Sequence, residues 1–242
     1  MNKNRGLDAF SIKLIAILAM SANHISHLFG ANLSDFWLVA LYSIGGITFP
    51  IMAFFLNEGF RYTRNLRKYE MRLCFWAILS FLPFCLAFEV VAGNVLFTLL
   101  LGLLVLDLRQ NLKQHWQFIV LYLLLVLVSG FCDWPYVGVV LVFLFARCRN
   151  YKDPYLVPCI AQAAMSLTVL GEGGLASLMD VLFLAGGALV SYLLLKCYNG
   201  QKGRSMGQLF YAYYPLHLVL LILIACNFRF DAICARFLKI FG

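Results

Sequence analysis

An apolar run over residues 11–29 is interrupted by Lys13, Ser21, Asn23, His24 and His27. Ionisable and polar groups inside such a run are costly in lipid and usually mark function. Lys13 and His24 are eleven residues apart, so on a helix they point within about 20° of one another. Their separation along the axis is about 16 Å. Ser21 and His27 flank His24 at three residues either way, on nearly the same face. His24, inside the run, is read as a functional residue. A lysine at the start of a span also reads as an anchor that snorkels to headgroups. A second histidine, His217 in Tyr213-Tyr214-Pro215-Leu216-His217, falls inside another apolar run. Two such histidines without neighbouring acids indicate a polar cavity between helices.

Other residue patterns carry weaker signals. Glu58 is followed by Arg61, Arg64, Arg67 and Lys68, a basic collar. It serves as a topology anchor or as an electropositive mouth for a phosphorylated ligand. Pro50 can kink its helix and free carbonyls that neighbouring groups must then satisfy. Asn94 and Thr98, four residues apart, suit hydrogen bonds between helices. The glycine pairs at 45–46 and 186–187 suit close helix packing. Asp107 and Asp180 receive no role. No phosphate loop or dinucleotide fingerprint is present. The eight cysteines show no C-x-x-C pair and read as small buried hydrophobes, so neither a metal site nor a disulfide framework is expected.

The elements that must position these residues follow from composition. Of 242 residues 63% are hydrophobic and 12% charged, against roughly a quarter charged in a soluble domain. So few charges cannot clothe a water-facing surface, and the bilayer is the expected solvent. Apolar runs near 11–29, 36–57, 73–91, 94–107, 116–131, 136–146, 155–170, 175–195 and 206–226 predict about nine transmembrane helices. Gly30-Ala31-Asn32, Gly93-Asn94, Asp133-Trp134-Pro135, Gly171-Glu172-Gly173-Gly174 and Asn199-Gly200 mark the breaks. Residues 227–242 read as an amphipathic helix along the interface or as part of a tenth span. The expected fold is a single all-α, multi-pass bundle over 1–242.

Charge then orients it. With the amino terminus inside, the inner loops hold Lys3, Arg5 and Lys13; Arg61, Arg64, Arg67, Lys68 and Arg72; Arg109 and Lys113; Arg147, Arg149 and Lys152; and Lys196, Lys202 and Arg204. That is 16 of the 19 Lys and Arg residues, and the other three lie in the tail. The outer loops hold Asp35, Glu89, Asp133 and Glu172 instead. This segregation predicts a cytoplasmic amino terminus. It also accounts for the net charge of +8 without nucleic acid. No small-x-small cleavage site follows the first run, so it is kept as a span.

The chain resembles the TraX family, whose namesake acetylates the conjugative F-type pilin. The resemblance rests on Leu14 to Met20 leading to Asn23-His24-Ile25, on Phe49-Pro50 to Asn65, and on Tyr69 to Phe88. Asn94 to Leu99, Asp133 and Tyr214-Pro215-Leu216-His217 complete it. Where the family has Asp-His this chain has Asn23-His24, and Gly46 stands where the family has an arginine. An asparagine can orient an imidazole but supplies no charge to raise its basicity. Lys13 and His24 also match the Arg/Lys-x10-His signature of multi-pass membrane acyltransferases.

The resemblance implies an N-acetyltransferase of the bacterial inner membrane. Acetyl-CoA would be its co-substrate, and the amino terminus of a pilin-like membrane protein its acceptor. His24 is then the base, Asn23 its neighbour, and His217 or Asn94 the group that meets the thioester oxyanion. Lys13, with Arg61 and Arg64, would hold CoA phosphates. A transporter whose polar stripe lines a pathway, or a pilus assembly factor without chemistry, are the competing readings. A transporter would favour internal repeats, and the two halves show no convincing similarity.

Overall fold

The computed structural model describes residues 6–169, 173–205, 207 and 209–242. Lys3, Arg5, Leu170, Gly171, Glu172 and Met206, which the sequence reading used, lie outside them. In chain order the helices are α1 (Ala9–Phe29), α2 (Asp35–Ile44), α3 (Thr48–Tyr62), α4 (Leu66–Leu79), α5 (Phe81–Phe88), α6 (Val95–Asn111) and α7 (His115–Val128). They continue as α8 (Val137–Cys148), α9 (Leu156–Ala164), α10 (Gly174–Val181), α11 (Gly187–Lys196), α12 (Leu209–Ala225) and α13 (Phe230–Phe241). The all-α expectation holds for the described residues, where the only extended pairings are the isolated bridges Leu7–Tyr198 and Gly93–Cys132.

Each apolar run of the sequence is helical over its described residues, with the runs 36–57, 73–91 and 175–195 divided into two helices each, and cap chemistry explains several of the starts. The Asp8 carboxylate accepts from Ser11 N–H at 2.8 Å and opens α1. Asn65 accepts from Lys68 N–H and opens α4. Asn94 accepts from Leu96 N–H and opens α6. In each case a short polar side chain satisfies a donor that the first turn leaves without a helical partner.

Length separates the helices into two groups. Among the described residues three stretches are long and apolar enough to cross a membrane: Ala9–Asn32, Asp35–Tyr62 and Gly174–Lys196. Two bent pairs raise the number to five if each is one span: Leu66–Leu79 with Phe81–Phe88, bent by 41°, and Leu209–Ala225 with Phe230–Phe241, bent by 111°. The other helices are shorter. At about 1.5 Å per residue, a 12-residue helix such as α8 falls well short of a hydrocarbon core of about 30 Å. The tail is thus a helix of its own. Asn227 and Phe228, both with positive φ, turn the chain out of α12. Arg236 and Lys239 of α13 then pair with Glu89 after α5.

The chain forms two compact units. The first consists of Met1–Glu58 and Leu144–Met206, the second of Gly59–Phe143 and Gly207–Gly242. In the first, Ile12, Ala16 and Ala19 of α1 pack against Ile51 and Phe55 of α3. The segment before α1 is clasped to the loop after α11. Leu7 N–H donates to Cys197 O, Asn199 N–H to Leu7 O and Ala9 N–H to Gln201 O, each at 2.9 Å. In the second unit Val105, Phe118 and Val139 join α6, α7 and α8 in one apolar core.

Candidate active site

The residues around His24 are arranged by two helix irregularities in the first unit. Between α2 and α3 the chain tightens into a 3-10 turn at Gly45–Ile47. Between α10 and α11 it widens into a π-turn at Leu182–Gly186. Such breaks leave carbonyls without their usual partners, and in lipid each needs another donor. Side chains supply them. Asn23 Nδ2 donates to Tyr42 O at 2.8 Å. Gln162, fully buried on α9, donates from Nε2 to Gly46 O at 3.0 Å and to Leu184 O at 3.1 Å. Ser191 donates to Ile47 O, and Thr48 to Ala16 O. Glycine permits the approach: a Cβ on Gly46 would lie 1.8 Å from Phe183 O, and one on Gly45 would lie 2.4 Å from Asn23 Cβ. The expectation that the glycine pairs serve close packing holds at Gly46 and Gly187.

His24 is held against this scaffold on α1, with 6% of its surface exposed. Asn23 is the residue whose role shifts. Its amide is directed to the Tyr42 carbonyl, and neighbouring helix positions do not face each other. It therefore locks α1 to α2 and positions His24 through the backbone. One turn further on, the His27 ring meets Tyr42 at 5.3 Å, and the Tyr42 hydroxyl donates to Asp180 at 2.7 Å. Asp180, given no role from sequence, is thus the acid of this cluster. Nothing in the sequence pairs positions 42 and 180, which are 138 residues apart.

Lys13 lies nearer the start of α1, half-buried, with Nζ 4.8 Å above the Phe55 ring. Lys202, in the loop after α11, lies within electrostatic range of it. That loop turns at Gly200 and Gly203, both with positive φ, and also carries Arg204. Two ammonium groups held this close favour a polyanion between them.

Arg61, Arg64 and His217 belong to the second unit. Arg61 is exposed at the end of α3 and covers the Tyr62 ring, while Arg64 is exposed between α3 and α4. His217 is buried on α12, parallel to the Tyr213 ring at 5.0 Å and tilted to Tyr214 at 5.6 Å. Its Nδ1 lies 2.9 Å from Tyr213 O. A carbonyl only accepts, so in the neutral ring Nδ1 carries the proton and Nε2 the lone pair. Asn94, a candidate for the oxyanion, is fully buried. Besides capping α6 it donates from Nδ2 to Ala77 O at 2.8 Å.

The second unit also holds an acid that the sequence reading left without a role. Asp133 sits in the turn between α7 and α8. Burial pushes its carboxyl up to about 6, against the Trp134 N–H bond that favours the charged form. Folding thus favours the protonated acid. The stability this contributes is complete below about pH 4 and is lost as pH rises through about 6. Asp133→Asn retains an acceptor for Trp134 N–H. In thermal unfolding of the detergent-solubilised protein it should match the native chain near pH 4. It should exceed it near pH 7.5 by on the order of 2 kcal/mol.

The long apolar helices and the polar clusters buried among them define a helical membrane protein. The chain belongs to the TraX family, whose model, TraX protein, matches residues 9–225. It is also 34% identical over 238 residues to the probable fimbrial assembly protein FimC, serogroup H1, of Dichelobacter nodosus, covering 91% of this chain and 97% of that one. No solved structure matches it.

Proposed function

We propose that this protein is a membrane-embedded acetyltransferase of pilus assembly. In this reading it crosses the inner membrane about nine times with its amino terminus in the cytoplasm, the shorter helices spanning with locally thinned lipid. The observation that carries the reading is the pairing of a buried imidazole, His24, with a half-buried cation, Lys13, on one stripe of α1. Membership of the TraX family and similarity to a fimbrial assembly protein supply its context.

The chemistry asked of the residues is modest. Acetyl-CoA supplies an activated acetyl group as a thioester. The acceptor is the α-amino group of a pilin-like membrane protein, which ordinarily titrates near pKa 7.7–8.0. His24 takes a proton from the attacking ammonium, so a base of ordinary strength suffices. The neutral amine nitrogen then bonds to the acetyl carbon, the carbon–sulfur bond breaks, and the second proton of the nitrogen passes to the departing thiolate to give the free thiol. Lys13, with Lys202 beside it, holds phosphate at the cytoplasmic end. The roles of His217 and Asn94 at the oxyanion, and of Arg61 and Arg64 on CoA phosphates, rest on the family resemblance alone. Acetylation removes the terminal charge of the acceptor, which eases its residence in an apolar fibre or bilayer.

The deciding experiment supplies purified protein with radiolabelled acetyl-CoA and a membrane-embedded peptide bearing a free amino terminus. Label should pass to the peptide. Absence of any acetyl-CoA binding would remove the enzyme reading and leave an assembly factor, as the name of the relative suggests. Lys13→Met should raise KM for acetyl-CoA about tenfold with kcat little changed, the signature of lost uniform binding. A fall in kcat with KM unchanged would place Lys13 elsewhere.

A further inference from the structure

The turn between α7 and α8 is built around one carboxylate. Asp133 N–H donates to Gly93 O at 2.6 Å, and Asp133 O accepts from the Thr98 hydroxyl. Its Oδ1 accepts from Trp134 N–H at 3.0 Å. The backbone is held on both sides of the residue, and the Trp134 N–H holds one carboxyl oxygen. Trp134 and Tyr136 adopt left-handed conformations, φ 58° and 59°, which side chains of that size rarely take. Such strain persists where the surroundings enforce it, and it concentrates at ligand sites.

Among the described residues no Lys, Arg or His pairs with Asp133, and its Oδ2 receives no hydrogen bond. Two other acids that burial touches are paired, Glu89 with Arg236 and Lys239 and Asp153 with Lys196 and the Tyr192 hydroxyl, while Glu70, which burial also raises, has Arg67 within electrostatic range. The groups facing Asp133 are Tyr214 of α12, within electrostatic range, and its chain neighbour Cys132; neither is a cation. His217 lies beyond Tyr214 with its ring 5.6 Å away. A half-buried carboxylate left without a cation is expensive and gains most from a compact ammonium that keeps two or three donors free. The larger guanidinium of arginine is a poorer match for a single available oxygen.

We infer that Asp133, with Tyr214 beside it, forms a binding site for a primary ammonium group supplied from outside the chain. Two sources share that chemistry, the free amino terminus of an acceptor protein and the headgroup of phosphatidylethanolamine. The first rests on the acetyl-transfer reading, in which the site would hold the acceptor before acylation and release the uncharged product. Asp133 is then a positioning and binding residue, distinct from the base.

The test uses the full chain in nanodiscs of phosphatidylcholine and a fluorescent membrane peptide, either with a free amino terminus or N-acetylated. The native protein should bind the free form about tenfold more tightly, by anisotropy. Asp133→Asn should lose that preference while binding the acetylated peptide unchanged, and Asp133→Glu should restore part of it. Equal binding of the two peptides by the native protein, or a preference that survives in Asp133→Asn, overturns the site. Adding phosphatidylethanolamine separates the sources. Loss of the preference in its presence identifies the headgroup as occupant, and an unchanged preference identifies the peptide end. Binding preference without label transfer keeps the ammonium site and removes the transferase. Label transfer without the preference does the reverse.

Discussion

Replacing His24 by alanine should lower acetyl transfer by about 10²–10⁴-fold, the range over which a general base acts. The residue is nearly fully buried on α1, so truncation also leaves a small void. His24→Gln fills that space and retains a hydrogen-bonding end, but it cannot carry the proton at neutral pH. Both variants should therefore melt within a few degrees of the native protein while losing label transfer in the assay described above. The loss should fall on kcat, because the acetyl-CoA contacts at Lys13 are untouched. Equal label transfer by the native protein and His24→Gln removes His24 from the mechanism. Loss of folding in alanine but not glutamine, with transfer intact in glutamine, makes the histidine a packing residue.

The helices were legible because their signal is local. Apolar runs and the glycine and asparagine breaks depend on a few neighbouring residues. Segregation of Lys and Arg along the chain added an expected orientation. Span lengths were less legible. An apolar run states how much surface avoids water, while a helix that kinks at Ser80 or turns at Asn227 divides that run into shorter pieces. The fusion of α2 and α3 into one stretch of 28 residues follows from the 3-10 turn at Gly45–Ile47, which tightens the helix without ending it.

At the site, the stripe from Lys13 to His24 was legible because helical periodicity alone places both residues on one face. Asn23 was misleading for the same reason. Adjacency in sequence suggested a partner for His24, yet its amide reaches a carbonyl 19 residues away. Gln162 illustrates the larger obstacle. Its two acceptors lie 116 and 22 residues distant and exist only because two different helices depart from regular geometry. Neither departure has a strong sequence mark. The same holds for Asp133, whose importance lies in which groups fail to surround it.

Gly46→Ala should be the most damaging single methyl in the chain. The added carbon would fall 1.8 Å from Phe183 O, 2.7 Å from its carbonyl carbon and 3.1 Å from its Cα. These are backbone atoms of the π-turn, so no rotamer change relieves the overlap. A Cβ added at Gly187 would likewise fall 2.4 Å from Gly46 C, so the two segments are packed backbone to backbone. The two segments must move apart, which breaks the bridge that Gln162 makes to Gly46 O and Leu184 O. Overpacking of this kind costs about 1–3 kcal/mol, and each buried hydrogen bond left unmade costs about as much again. The sum exceeds about 4 kcal/mol, the range in which single changes abolish folding of marginal proteins. Gly186→Ala is the matched control, since nothing lies within 4 Å of its added carbon. It should stay within about 1 kcal/mol of the native protein. Size-exclusion and thermal unfolding in detergent should recover Gly186→Ala as a monodisperse peak and Gly46→Ala as aggregate. A Gly46→Ala protein as stable as its control would mean that the two irregular turns are not in contact. The scaffold proposed to hold Asn23 and His24 in place would fall with them.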